Sequence, residues 1–119
     1  MLFRSGWTRS HNHFYGKFPT YLYAWKPGTV LEYPFYGTAI GLYHTVEKDS
    51  GSFSYSIDDG EWESRSTWDE YALQFNRICY TMLRDDLKEG HHVLKLRIAD
   101  EAPEKSEGTY IRIGAFFVG

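Results

Sequence analysis

The chain contains one cysteine, Cys79, and four prolines in 119 residues. One thiol excludes an internal disulfide and any metal site built from several thiolates. Cys79 lies in the apolar run Ile78-Cys79-Tyr80 and reads as a core residue. Positive charge is also scarce. Lys and Arg number 13 against 16 Asp and Glu, a net charge of −3, and the pI is about 5.9. With no basic excess to neutralise phosphates, no nucleic-acid partner is expected. No apolar run approaches the ~20 residues of a membrane-spanning helix, so no membrane partner is expected. The start, Met1-Leu2-Phe3-Arg4-Ser5-Gly6-Trp7, lacks the long apolar region of a secretion signal. That predicts a cytoplasmic protein if the chain is complete, or a secreted one if it is excised from a longer protein. Neither Gly-x-Ser-x-Gly nor a Gly-Asp-Ser block occurs, so a self-contained nucleophilic enzyme is not predicted.

Aromatic residues are abundant. They make up 18% of the chain, as 10 Tyr, 8 Phe and 4 Trp, and such side chains favour pleated, half-buried surfaces. The hydrophobic fraction of 42% is enough for one folded domain covering residues 1–119, with residues 1–19 as an N-terminal extension packing on it. Pro27-Gly28, Asp49-Ser50-Gly51, Asp58-Asp59-Gly60, Glu89-Gly90 and Glu107-Gly108 supply turn chemistry between short segments.

Those segments alternate with period two. Leu31, Tyr33 and Phe35 share one face of a strand over about 29–36. Ile40 and Leu42 share a face of the next, with His44 continuing it as an inner, hydrogen-bonded histidine. Phe53, Tyr55 and Ile57 follow, then Leu94, Leu96 and Ile98. In the last strand Ile111, Ile113, Ala115 and Phe117 fall on one side, and Phe116 and Val118 on the other. Strands are also predicted over about 21–25 and 77–82, with at most one or two helical turns over 70–75. Asp58-Asp59-Gly60 is a hairpin signal. Gly37 and Gly41 signal a bulge or a close backbone approach. The predicted fold is all-β, an antiparallel jelly-roll β-sandwich of about seven or eight strands.

Candidate site residues are mostly aromatic. Trp62 stands in Glu61-Trp62-Glu63 and Trp68 in Thr67-Trp68-Asp69, each ring among polar neighbours. A sugar ring needs that combination, because its C–H face stacks while its hydroxyls pair with charged or amide groups. The simpler reading of any single Trp is that it folds back over a sheet edge and completes the core. Trp62, Trp68 and Tyr71 form one candidate edge, with Arg77 and Asp69 as polar partners. Trp7, Trp25 and Tyr15 form another. Arg77 either binds a hydroxylated or carboxylated ligand or pairs with Asp69 or Glu70. His11-x-His13 suits a metal in spacing but has no nearby Cys or carboxylate in sequence. Asp58 and Asp59, with Glu61, Glu63, Asp69 and Glu70, offer calcium-type oxygens but are already accounted for as a turn and a solvated edge. No cofactor is predicted.

The run Lys26-Pro27-Gly28-Thr29-Val30-Leu31-Glu32-Tyr33, then Phe35-Tyr36-Gly37-Thr38-Ala39-Ile40-Gly41-Leu42, Ser50-Gly51, Tyr55-Ser56-Ile57-Asp58-Asp59-Gly60 and Leu87-Lys88-Glu89-Gly90-His91-His92-Val93-Leu94, resembles the galactose-binding-domain-like β-sandwich that accompanies bacterial SGNH/GDSL-type hydrolases, carbohydrate esterases among them. The resemblance covers about residues 20–118. It implies a non-catalytic domain that binds carbohydrate or positions substrate beside a hydrolase domain, whose Ser, Asp and His lie outside this chain. The alternative is a structural or oligomerisation domain with no ligand of its own.

Overall fold

The computed structural model describes residues 3–4, 6–13 and 18–119. Its strands are β1 (Phe3–Arg4), β2 (Thr8–His13), β3 (Phe18–Ala24), β4 (Val30–Gly37), β5 (Ile40–Val46), β6 (Ser52–Ile57), β7 (Glu63–Ser66), β8 (Arg77–Arg84), β9 (Gly90–Ile98) and β10 (Ile111–Val118). A single 3-10 turn, Glu70–Leu73, interrupts them. Two five-stranded sheets form, in the orders β1-β4-β9-β6-β7 and β2-β3-β10-β5-β8, and every strand pair is antiparallel. From β4 to β10 the chain changes sheet at every step except the β6–β7 hairpin. That winding is the jelly-roll sandwich.

Burial follows the period-two pattern. Leu31, Ile40, Leu42, Phe53, Leu94, Leu96 and Ile111 are fully enclosed, and Tyr55, Ile57, Ile98 and Ile113 are buried with them in the core. Tyr55 also ties the two sheets with a polar contact. Its hydroxyl lies 2.8 Å from Glu63 Oε2 and 2.9 Å from the Leu83 carbonyl across the sandwich. Burial and the Glu63 carboxylate push its pKa up to about 12. Gly37 and Gly41 are close approaches, as expected. A Cβ at Gly37 would stand 2.3 Å from the Gly119 carbonyl oxygen, and one at Gly41 2.8 Å from that of Thr81. The β5–β8 register also shifts between Ile40 and Gly41.

Four features depart from the sequence reading. Residues 8–13, part of the predicted extension, are a full strand of the second sheet, and β7 was not predicted. Both are edge strands without an apolar alternation, so burial leaves no mark in their sequences. In β10 the register shifts between Ile113 and Ala115. That bulge reverses the side-chain alternation, so Phe116 turns inward and stacks on Tyr33 at 4.0 Å, while Phe117 is exposed. Cys79 is half-buried rather than core, because β8 is the outer strand of its sheet.

Antiparallel winding sorts the connections. Loops leaving the odd-numbered strands lie at one end of the sandwich, here the near end, and those leaving the even-numbered strands at the far end. The near-end loops are stitched together by Tyr110 N–H to the Asp49 carbonyl, Gly51 N–H to that of Tyr110, Thr67 N–H to that of Gly51, and Glu107 N–H to that of Lys48, all at 2.8–2.9 Å. The far end is held by the β6–β7 turn. Asp58 and Asp59 take left-handed φ values of 53° and 59°, and Asp58 Oδ1 accepts the Val93 N–H at 2.8 Å. His92 fills the gap between this turn and the β8–β9 loop. One ring nitrogen lies 2.5 Å from Asp58 Oδ2 and the other 2.6 Å from the Lys88 carbonyl. Two acceptors facing both nitrogens demand the imidazolium.

The carboxylate of Asp58 and the Lys88 carbonyl raise the His92 pKa above its ordinary value. Against the cost of its own burial, the hydrogen bonds from His92 and Val93 hold Asp58 below the usual carboxylate range. The histidine's contribution to stability is therefore complete below about pH 6.5 and is lost as pH rises through its raised pKa. The contribution of Asp58 is complete above about pH 4 and is lost as pH falls through its depressed pKa. Denaturation followed from pH 4 to 9 is expected to show stability falling on the alkaline side, and His92→Gln is expected to abolish that fall. A wild-type alkaline limb retained in the variant would contradict the assignment.

Candidate functional site

The strand directions place Trp25, Trp68, Asp69, Tyr71 and Arg77 at the near end, and Trp7 just before β2 at the same end. Trp62 belongs to the far-end hairpin. Its half-exposed ring lies under the Arg97 guanidinium, 4.4 Å from the ring centroid, on the outer face of the first sheet. The edge drawn from Trp62 through Trp68 to Tyr71 is therefore divided between opposite ends. Contrary to its expected place on an open aromatic platform, Trp7 is 6% exposed and part of the core, so its ring offers no open face. Tyr15 lies outside the described residues.

The remaining cluster assembles on the crossing between the sheets. β7 and β8 are outer strands of different sheets, and residues 67–76 span from one to the other. Thr67 anchors the start of this span, its hydroxyl donating to the Gly51 carbonyl at 2.8 Å. Ser66, just before it, makes a local turn in which Oγ accepts the Trp68 N–H at 3.1 Å. Asp69 then caps the 3-10 turn by accepting the Tyr71 N–H on Oδ1 at 3.1 Å. The fully buried Ala72 pins the turn to the body. These constraints leave Tyr71 62% and Phe75 52% exposed.

Arg77, the first residue of β8, closes the cluster. Its guanidinium donates through Nη2 to Asp69 Oδ2. The same group stands 5.6 Å from the Phe75 ring centroid and 6.0 Å from that of Tyr71. The Asp69 hydrogen bond raises the Arg77 pKa further above its already high ordinary value, so the guanidinium keeps its charge. Of the two sequence alternatives for the pairing of Arg77, Asp69 rather than Glu70 is the partner. The result is two open aromatic faces beside a fixed, mutually neutralising charged pair.

The histidines do not join it. His44 is 2% exposed on the inner face of β5. One ring nitrogen lies 2.7 Å from Thr81 Oγ1 and the other 3.1 Å from the Thr45 carbonyl. Burial lowers its pKa, which keeps the ring neutral at neutral pH, as a core hydrogen-bonding group. His11 and His13 lie on β2, paired with Thr20 and Phe18. Among the described residues, no three His, Cys, Asp or Glu side chains converge in a metal-binding group.

One grouping was missed in the sequence. Trp25 is 53% exposed, and its near-end neighbour is Tyr110 at 6.5 Å. The row continues down the outer face of the second sheet, to Tyr23 at 6.3 Å from Tyr110 and to Tyr21 at 5.8 Å from Tyr23. Tyr21-Leu22-Tyr23 is an alternating signal in the sequence. Its neighbour Tyr110, however, comes from a segment almost ninety residues later, and only the β3–β10 pairing brings it alongside.

No family model matches the sequence, and no curated protein matches it. Solved structures do share the architecture. A two-domain esterase active on acetylated mannans, co-crystallised with mannopentaose, superposes with a TM-score of 0.76 at 11% identity, over 97% of this chain and 32% of that one. A family two carbohydrate esterase from Clostridium thermocellum, in complex with cellohexaose, gives 0.65 at 16% identity over 100% and 31%. A family 35 carbohydrate binding module from Clostridium thermocellum gives 0.61 at 12% identity over 98% and 96%. The chain thus spans about a third of each esterase and nearly the whole of the module. What it shares with them is the β-sandwich fold, the one that the sequence motifs resemble.

Proposed function

We propose that this chain is a non-catalytic carbohydrate-binding accessory domain that holds a polysaccharide for a hydrolase domain of the SGNH/GDSL kind. The observation that carries this reading is the Asp69–Arg77 pair set beside the open faces of Tyr71 and Phe75. Exposed rings provide stacking surface for the C–H faces of a pyranose, and the adjacent charged pair provides oriented groups for its hydroxyls. The pair is internally neutralised, so it suits a neutral glycan better than a polyanion. The fold shared with an esterase on acetylated mannans and with a carbohydrate-binding module supports the same reading.

Titration calorimetry against manno- and cello-oligosaccharides tests it. Tyr71→Ala is expected to weaken binding at this site roughly five- to tenfold, the worth of one aromatic contact. Arg77→Gln is expected to weaken it at least as much, because Asp69 then loses its partner. Asp69→Ala also removes the cap of the 3-10 turn, at about 1 kcal/mol of stability, whereas Asp69→Asn retains the cap. Unchanged affinity in both Tyr71→Ala and Arg77→Gln would exclude this cluster as the binding site.

A second reading, a structural or oligomerisation domain, is favoured by a separate observation. Tyr43, Tyr80 and Phe117 form an exposed aromatic group on the outer face of the second sheet, with centroids 5.2 and 5.5 Å apart. Their planes meet at 46° and 86°, a geometry closer to a protein core than to a flat stacking platform. Light scattering across a concentration series decides it. Self-association abolished by Tyr80→Lys would support this reading, and a monomer at all concentrations would remove it.

A further inference from the structure

The two outward faces of the sandwich differ in chemistry. That of the first sheet is charged and serine-rich, with Lys95 bridging Glu32 and Asp59, Arg97 over Trp62, and Ser54 opposite Ser64. That of the second sheet is aromatic, and its β3–β10 half carries the row Tyr21, Tyr23, Tyr110, Trp25. Arg112, the charged residue beside this row, is already engaged. Its guanidinium forks onto Asp49 at 2.8 and 3.0 Å, reaches Glu47 at 3.1 Å, and lies 4.5 Å from the Tyr110 ring centroid.

We infer that this row is a second glycan-binding site, distinct from the Asp69–Arg77 cluster, that takes an extended, neutral, β-1,4-linked hexose chain. Three properties of the row specify that ligand. First, successive ring centroids are 5.8, 6.3 and 6.5 Å apart, close to the advance per residue of an extended pyranose chain, so one sugar can meet one ring. Second, successive rings are tilted by 33°, 34° and 40°. The rings therefore do not form the flat plane that a crystalline surface would meet, which favours a single chain as the ligand. Third, the charge alongside is locked in the Arg112–Asp49 fork, which favours hydroxyls over carboxylates as ligand groups. The row runs from the open ring of Trp25 at the near end down the sheet face. The pairing of β3 with β10 keeps Tyr23 beside Arg112 and fixes the strand part of the site, while Trp25 and Tyr110 sit together just beyond the near ends of these two strands.

The inference rests on the carbohydrate-binding reading of the domain but not on the Asp69–Arg77 cluster. It is tested in the Tyr71→Ala, Arg77→Gln double variant, where that cluster is disabled. The probes are cellohexaose and mannohexaose with their disaccharides, followed through the Trp25 indole N–H by NMR and by calorimetry. Trp25 is half-exposed and Tyr23 half-buried, so Trp25→Ala and Tyr23→Phe report on the site with little risk to the fold. The expected result is a shift of the Trp25 indole resonance by at least one hexaose and affinity increasing from disaccharide to hexaose. Trp25→Ala should weaken binding roughly five- to tenfold, and Tyr23→Phe much less. An indole resonance unmoved by millimolar amounts of both hexaoses, or affinity unaffected by Trp25→Ala, would overturn it. If wild-type protein binds and the double variant does not, the row falls while the first site stands. If the double variant binds and Trp25→Ala abolishes what remains, the row stands on its own.

Discussion

The structure depends on the burial of every second side chain between two sheets. Leu31, Ile40, Leu42, Phe53, Leu94, Leu96 and Ile111 come from both layers and meet in one core. Each contributes one face of a strand, so its chain neighbours are forced outward. Strands that bury one face must lie opposite another sheet. The chain meets that demand by crossing between sheets at almost every connection. The crossings in turn decide which loops share an end of the molecule, and so which distant residues can cooperate.

Function is built on the consequences of that winding. The span between the outer strands β7 and β8 has to pass over the open side of the sandwich. It does so with a capped turn that buries Ala72 and leaves Tyr71 and Phe75 outside. Arg77 follows immediately at the start of β8, so it meets the Asp69 that caps the turn. The same closure orders the far end differently. There His92 is pressed between Asp58 and the Lys88 carbonyl and carries its proton as a structural bond. One end of the sandwich presents aromatic faces, and the other is tightened by charge.

Much of this was legible where local chemistry and burial agree. The alternation in residues 31–35, 40–44, 53–57 and 94–98 named the inner faces correctly, including His44, whose ring nitrogens both have partners inside. Asp58-Asp59-Gly60 announced a hairpin, and both aspartates take the left-handed backbone that it needs. Errors arose where alternation is broken or lacking. The β10 bulge exchanges the roles of Phe116 and Phe117, since one extra residue reverses every side chain beyond it. The edge strand β7, Glu63-Ser64-Arg65-Ser66, has no apolar face to betray it. Trp7 stands among polar and small residues in the chain, yet fills the core, because what surrounds a ring in sequence is not what surrounds it in space.

By itself, then, the sequence determined an all-β sandwich, its main strands, its turn positions and the pairing potential of Asp69 with Arg77. These depend on short-range periodicity and on residues only eight positions apart. Only the tertiary structure decided that Trp62 and Trp68 serve opposite ends, that Trp7 is core, and that Trp25 keeps company with Tyr110, Tyr23 and Tyr21. Those outcomes depend on which strands become neighbours. Neighbours are chosen by joint burial across the whole chain, a property that no local pattern carries.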